Sequence, residues 1–389
     1  MRRPLTLAWL YYFFYFGAFG CYIPFLTLYF EQAGLNGRAI GLLAALPPLV
    51  QLGLGPAWGA LGDRFAIHRR LLPLATLGPI IPSLLMLTTH NVGALTALVI
   101  VAGLFTAPIL LLIDSAVLDM VRGTPYSYGK IRVGGSIGYT VGTWIMGYIL
   151  KAQGLNWLFY GYAAGLLVAG LLAFGLPARR QVVKPEAFWT GFGQLVRQRR
   201  LLLFLVGSFL VAVALQASFS FYPLRLVALG GDEVWVGLSG VIAAVAEMPV
   251  LFYSHAIFRR LGVWPAVAAA YVLFALRWGI LAVTGSALVV LLTTALNAVT
   301  FTPYMAGGIQ YVEQHTPPGL HATAQGLLAA ITFGLGSAVG ALGGGVLYDA
   351  VGPQGLFAAG AALSLVAAGF VVAAGWGTTG AEFREPAAA

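Results

Sequence analysis

Charged residues are scarce in this sequence. Only 8% of its 389 residues are Asp, Glu, Lys or Arg, against about a quarter in water-soluble domains, and the mean hydropathy is +0.88. This shortage excludes an ordinary soluble domain. Cysteine is scarcer still: Cys21 stands alone, so the chain cannot form an internal disulfide, and we expect a small packed side chain at that position.

Long apolar runs are what the sequence has in excess. A run of about 20 apolar residues spans a bilayer, and such runs lie at residues 6–30, 39–62, 71–89, 94–121, 131–150, 155–176, 201–229, 234–258, 262–283, 285–312, 320–348 and 354–376. The sequence therefore predicts an all-α membrane protein of twelve transmembrane helices. We expect an N-terminal six-helix bundle (1–176), a cytoplasmic linker (177–200) and a C-terminal six-helix bundle with a short cytoplasmic tail (201–389).

The basic residues between the spans predict the orientation. If the N-terminus is inside, sixteen Lys and Arg residues face the cytoplasm and only Arg38 and Lys151 face outward. The positive-inside rule then places both termini in the cytoplasm. This distribution accounts for the net charge of +9 and excludes nucleic acid as a partner.

Four charged residues lie well inside the predicted spans: Asp114, Arg132, Glu247 and Arg277. An unpaired charge in the bilayer is costly, so each one is a hypothesis about a functional site. Asp114 and Arg132 form either a structural ion pair between neighbouring helices or a pair that lines a cavity. Three further charges lie near span ends, where we expect them to reach water: Asp119, Arg225 and Glu313.

The two charges of the second half also allow alternatives. Glu247 has no basic residue within one turn, which suits a proton carrier. Alternatively it pairs with Arg277 or accepts hydrogen bonds from substrate. Arg277 precedes Trp278, and such a pair is also typical of an anchor at the membrane interface.

Several motifs resemble known transporters. Gly59-Ala60-Leu61-Gly62-Asp63-Arg64, followed by His68-Arg69-Arg70, resembles the signature loop of the major facilitator superfamily. Within it, the first helix and the segment from Tyr128 to Gly138 are similar to the lactose permease-like oligosaccharide:proton symporters and to the phenylpropionate permeases. The resemblance implies a conformational switch loop formed by Gly59, Gly62, Asp63, Arg64, Arg69 and Arg70.

The resemblance also implies a binding site. Arg132 matches the sugar-contacting arginine, Asp114 its acidic partner, and Tyr139 an aromatic platform for a ring. Glu247 matches the essential eighth-helix glutamate and Arg277 the ninth-helix arginine. The expected substrate-binding residues are Phe16, Tyr22, Asp114, Arg132, Tyr139, Glu247, Arg277 and Asn297.

The chain departs from this pattern in the tenth helix. Asn297 replaces a histidine of both families, and Thr300 stands where the lactose permease has its proton-carrying glutamate. Neither side chain titrates at physiological pH. If the protein is proton-coupled, Glu247 or Asp114 must carry the proton, and lactose is not the expected substrate.

We therefore expect a monomeric, multi-pass transporter of a bacterial inner membrane that imports a sugar-like, nucleoside-like or aromatic acid solute with protons. The alternatives are a proton-driven exporter of drug-like or lipid-like amphiphiles and a non-transporting membrane sensor. No nucleophile motif, metal-spaced cluster or phosphate-binding loop occurs in the sequence. We expect no enzyme activity, no metal and no cofactor.

Overall fold

The helices follow the predicted runs closely. The computed structural model describes residues 2–65, 68–177, 193–195 and 197–375, and all regular structure in these ranges is helical. In chain order the α-helices are α1 (Arg2–Gln32), α2 (Gly37–Phe65), α3 (His68–Leu77), α4 (Ile80–Leu85), α5 (Val92–Thr106), α6 (Ile109–Val121), α7 (Tyr128–Gln153), α8 (Trp157–Ala173), α9 (Arg199–Ala228), α10 (Glu233–Phe252), α11 (Ser254–Leu261), α12 (Val263–Val283), α13 (Ala287–Leu292), α14 (Asn297–Thr302), α15 (Gly308–His315), α16 (His321–Ala329) and α17 (Ser337–Gly375).

Several predicted spans are interrupted helices. Pro79 stands between α3 and α4, and Pro108 between α5 and α6. Proline removes a backbone donor and clashes with the preceding turn, so the helix breaks there. The later spans carry a 3-10 turn at Thr293–Leu296 and π-helical turns at Pro303–Gly307 and Ala330–Gly336.

The helices form a membrane fold. Among the described residues, eight helical stretches are long and apolar enough to cross a bilayer, and Gly37–Gly53 and Trp157–Ala173 are shorter apolar helices. One of the eight, His321–Gly375, turns back at Gly352, where φ is +70° and Pro353 follows. The fold class is thus an all-α membrane protein, and the count of twelve spans stays a prediction.

Within the first half, α1 is the central helix. Gly138 and Gly142 of α7 let its backbone meet α1 at Phe13 and Gly17, where any larger side chain would clash. On the other side, Ala18 packs against Gly165 of α8. Close backbone approach through glycine is the usual way to pack helices in lipid.

Two seams join the first half to the second, and small residues line both. In the α2–α17 seam, Gly37, Gly41 and Ala45 of α2 lie against Ala341 and Gly345 of α17. The buried alanines form a small cluster of their own with almost no exposed surface.

The α7–α10 seam repeats this chemistry. Thr143 and Gly147 of α7 lie against Gly237 and Gly240 of α10. A Cβ on Gly147 would lie 2.7 Å from the carbonyl oxygen of Glu233. Both seams lie where α2 and α10 begin and α7 ends. We call this the predicted outer end, because the positive-inside rule places it outside.

The burial of Arg225 differs from the sequence prediction. It was expected to reach water near its span end, but only 5% of the residue is exposed. Its Nη2 donates to the Thr284 carbonyl oxygen at 2.7 Å, next to the last residue of α12. A cation suits a helix C-terminus, where carbonyl groups lack helical partners and the dipole is negative.

Candidate functional site

The first half brings Asp114 and Arg132 to a common tyrosine. The hydroxyl of Tyr12, on α1, donates a hydrogen bond to Asp114 Oδ1, on α6. The guanidinium carbon of Arg132, on α7, lies 5.1 Å from the ring centroid of Tyr12 and 4.1 Å from that of Phe16. These distances are typical of cation–π contacts. Tyr12 therefore connects the two charges, with its hydroxyl on one and its ring against the other.

Gly135 explains why these groups fit together. A Cβ at this position would lie 2.7 Å from Arg132 Nη1 and 2.8 Å from Phe16 Cδ2. Contacts that short do not occur, so the absence of a side chain on α7 makes room for the arginine and the ring. We name the set Tyr12, Phe16, Asp114 and Arg132 the first-half cluster.

The second half holds a buried arginine with a neutral partner. Arg277 Nη1, on α12, donates to Asn297 Oδ1 at the start of α14. Arg277 is 6% exposed, and its Nε has no acceptor within the described residues. A buried guanidinium whose donors are only partly used is well placed to bind an acceptor on a solute.

Glu247 lies close enough to Arg277 to interact with it electrostatically, and so does Tyr222 of α9. The Glu247 residue is only partly buried. We name the set Tyr222, Glu247, Arg277 and Asn297 the second-half cluster. Arg277 thus has one hydrogen-bonded amide oxygen, on Asn297, and one carboxyl group, on Glu247, within electrostatic reach.

Trp278 argues against an interfacial anchor at this point of α12. The residue has no exposed surface and stacks on Phe274, with ring centroids 5.0 Å apart. An anchor places its ring among lipid headgroups. Arg277 and Trp278 instead belong to the interior of the second half.

Tyr22 is packed inside the first half. It is 8% exposed, its ring stacks on Tyr162 at 4.3 Å, and its hydroxyl contacts Met86 Sδ at 3.4 Å. Its place among other rings makes it a core residue, and we leave it out of the binding surface proposed below.

Two further residues from the sequence analysis differ in burial. Tyr139 is half-buried on α7. Thr300 is fully buried and donates to the carbonyl oxygen of Leu296.

Most of the predicted switch loop lies outside the described side chains. This holds for Gly59, Gly62, Asp63, Arg64 and Arg69, of which Gly59 to Arg64 fall in the last turns of α2 and Arg69 at the start of α3. Arg70 is exposed. Their role in switching stays a prediction.

The sequence analysis did not identify two residues of the clusters, Tyr12 and Tyr222. Tyr12 precedes Phe16 by four residues, so both lie on one face of α1, and that spacing was a usable signal. Tyr222 gave no such signal, because its neighbour Arg277 is 55 positions away in the sequence.

A cavity of about 390 Å³ opens beside α1. It is lined by Leu5, Thr6, Trp9, Leu10, Tyr126 and Ile131, so it includes none of the four charged residues.

Polar contacts join the halves at the predicted outer end. Lys151 Nζ, at the end of α7, lies 2.7 Å from Asp232 Oδ2, and Asp232 caps the first turn of α10. Beside the α2–α17 seam, the Tyr348 hydroxyl of α17 donates to Glu31 Oε1 of α1 at 3.3 Å. Asp349 accepts hydrogen bonds from the first amides of α2.

The chain is similar in sequence and in fold to known membrane transporters. The profile of the MFS_1 like family matches residues 6–359. The maltose permease of Geobacillus stearothermophilus is 29% identical over 349 residues, covering 88% of each chain. The "Probable 3-phenylpropionic acid transporter" of Escherichia coli K12 is 26% identical over 89% of this chain and 91% of that one. The crystal structure of the nucleoside transporter NupG superposes with a TM-score of 0.84 at 18% identity, covering 95% of this chain and 98% of the other.

Proposed function

We propose that this chain, which belongs to the MFS_1 like family, is a secondary transporter that imports a small organic solute together with protons. The two halves would expose a central site to each side of the membrane in turn. We further propose twelve spans, with both termini in the cytoplasm of a bacterial inner membrane, a monomer as the working unit, and no enzyme activity.

The observation that carries the proposal is the presence of one charged cluster in each half. Arg132 lies against two aromatic rings, and Arg277 has a neutral amide as its hydrogen-bonded partner. Each arginine therefore retains donors for a solute, and the partly buried ring of Phe16 offers a stacking face. The binding surface that we propose consists of Phe16, Asp114, Arg132, Tyr139, Glu247, Arg277 and Asn297. The fully buried Tyr12 lies behind it and positions Asp114 and Arg132.

The charge balance of this surface bounds the substrate. Asp114 and Glu247 balance Arg132 and Arg277 when all four are ionised, which suits a neutral sugar or nucleoside. If Glu247 binds a proton with the solute, one arginine is released to hold a carboxylate, and an aromatic acid fits. Relatives and structural neighbours named for maltose, nucleoside and 3-phenylpropionic acid span the same range.

Uptake into proteoliposomes tests the proposal. Labelled maltose, uridine and 3-phenylpropionate would be offered with and without an inward proton gradient. We expect one class to accumulate in response to the gradient. Arg132→Ala should reduce its uptake about tenfold or more, because a charge-assisted contact is lost. Arg38→Ala is the matched control, since that arginine is 67% exposed.

Glu247→Gln separates binding from coupling. The amide keeps the shape and cannot carry a proton, so we expect solute exchange to persist while accumulation no longer follows the gradient. If no member of the panel enters and the gradient instead expels a preloaded amphiphilic dye, the protein is an exporter. If neither happens, the transport proposal itself is wrong.

A further inference from the structure

We propose that Asp349 is an N-terminal cap supplied in trans: a carboxylate of the second half that completes helix α2 of the first half only while the predicted outer end is closed. This contact would bias the protein toward the conformation that is closed on that side. It concerns the regulation of the transporter proposed above and so rests on that function for its meaning, although its geometry stands alone.

Both oxygens of Asp349 are used at the start of α2. Oδ1 accepts a hydrogen bond from the backbone N–H of Gly37 at 2.7 Å, and Oδ2 accepts one from that of Arg38 at 2.9 Å. The first amides of a helix have no partner within the helix. A carboxylate there also complements the positive end of the helix dipole. The contact is therefore charge-assisted, bidentate and directed at backbone atoms.

Asp349 is misplaced with respect to its own helix. It lies three residues before Gly352, where α17 turns back with φ of +70°. An acidic side chain is unfavourable in the last turn of a helix, because the dipole is negative there. A local choice that conflicts with its own element is a signal of function, and in this structure the compensating contact is with α2.

The glycines of the seam allow the approach. A Cβ on Gly37 would lie 2.6 Å from Asp349 Oδ1 and 2.9 Å from the Gly345 carbonyl oxygen. Only glycine lets the carboxylate reach both amides. Arg38 contributes little through its side chain, since its Nε lies 4.0 Å from Asp349 Oδ2 and the side chain is 67% exposed.

Helix α2 also has a local cap, which supplies an internal control. Asn36 Oδ1 accepts a hydrogen bond from the Ala39 amide at 2.9 Å. Because Asn36 adjoins the helix that it caps, this bond survives any separation of the halves. Loss of Asn36 weakens α2 in every conformation, whereas loss of Asp349 weakens only the closed one.

The test measures how often the α2–α17 seam opens. Cys21 is replaced by alanine, and Ala338→Cys serves as the reporter, since Ala338 is 2% exposed and belongs to the alanine cluster of the seam. The purified full chain is reacted in detergent with a maleimide, so the result needs no substrate and no knowledge of sidedness. Ala45→Cys, on the opposite helix, is a second reporter.

We expect Asp349→Ala to raise the labelling rate of both reporters about five- to thirtyfold, the factor that corresponds to losing one strong cap. Asp349→Asn should give an intermediate rate, since the amide keeps one acceptor and loses the charge. Asn36→Ala and Arg38→Ala should stay within about twofold of the background. Melting temperatures identify any variant that is unfolded.

The proposal is overturned if Asp349→Ala leaves labelling unchanged in a folded protein. It is equally overturned if Asn36→Ala accelerates labelling as much, or if Arg38→Ala does so, since the contact is then an ordinary helix-start defect or a side-chain ion pair. If no uptake assay detects transport but the labelling pattern is as expected, the proposed cap is supported and the proposed transport function is wrong.

Discussion

At the scale of single residues, Tyr12 links the two charges of the first-half cluster through separate parts of one side chain. We predict that Tyr12→Phe keeps the ring against Arg132 and frees Asp114 from its donor. A hydrogen bond to a charged group is worth about 1.5–3 kcal/mol, so the KM for the accepted solute should rise about tenfold or more. Uptake kinetics in proteoliposomes measure this.

Tyr29→Phe is the matched control for that change. The Tyr29 hydroxyl lies 3.2 Å from the Met86 carbonyl oxygen, in the same half and away from both charges. We expect it to lower the melting temperature slightly and to leave the KM unchanged. Equal effects of the two variants on KM would mean that Tyr12 serves packing alone.

The sequence exposed the charged residues of the site but not all of their surroundings. Charges in an apolar run stand out on composition, so Asp114, Arg132, Glu247 and Arg277 were found. Aromatic residues in the same run do not, because helical spacing does not tell whether a ring packs against charged groups or against another ring. Spacing pairs Tyr12 with Phe16, but the contact of Tyr12 with Asp114 and the stacking of Tyr22 on Tyr162 are visible only in three dimensions.

At the scale of helices, the two seams depend on glycines whose environments differ sharply. We predict that Gly147→Ala lowers the melting temperature, because its Cβ would lie 2.7 Å from the Glu233 carbonyl oxygen and overpacking costs about 1–3 kcal/mol. Gly279→Ala on α12 has nothing within 4 Å and should instead stabilise by about 0.5–1 kcal/mol.

Thermal unfolding of both variants in one detergent decides the matter. Opposite signs support close packing of α7 on α10. A stable Gly147→Ala protein would show that this seam tolerates a methyl group and that α7 and α10 are not closely packed there.

Helix positions were predicted, and the interruptions that prolines signal were missed. Hydropathy averaged over a window gave spans at 71–89 and 94–121, yet each is two helices separated at Pro79 or Pro108. The average is insensitive to a single missing backbone donor. Of the two π turns, Pro303–Gly307 begins at a proline, whereas Ala330–Gly336 contains none.

At the scale of the whole molecule, the Lys151–Asp232 contact ties the α7–α10 seam at its exposed rim. Burial acts to raise the pKa of the Asp232 carboxyl. The hydrogen bond from Lys151 and the amides of Trp235 and Val234 outweigh it, so the pKa lies below its ordinary value.

The direction in which pH changes the stability of the closed outer end follows from proton linkage. A depressed carboxyl pKa stabilises the closed outer end at all pH values above the ordinary value of about 3.9, and that stabilisation is lost as the pH falls through the shifted pKa. We predict that any pH dependence of transport between about pH 5 and 8 is unchanged in Lys151→Gln/Asp232→Asn. Uptake profiles of the double variant check this, and a shifted profile would contradict it.

The contacts between the two halves could not be predicted from the sequence. The spacing of Gly37, Gly41 and Ala45 at every fourth position marks a close-packing face on α2. Nothing in the sequence names α17 as its partner, because the contact joins residues about three hundred positions apart and small residues are common throughout the chain.

The central position of α1 has a consequence for synthesis. Its packing partners are α7 and α8, which begin at Tyr128 and Trp157. At roughly 5–20 residues per second, a ribosome needs about 5–20 s to bring the first of them into the membrane after α1. During that interval the face of α1 at Phe13 and Gly17, which Gly138 and Gly142 of α7 cover in the finished protein, meets lipid or the insertion machinery. The helix that the chain makes first is thus among the last of its half to reach its final surroundings.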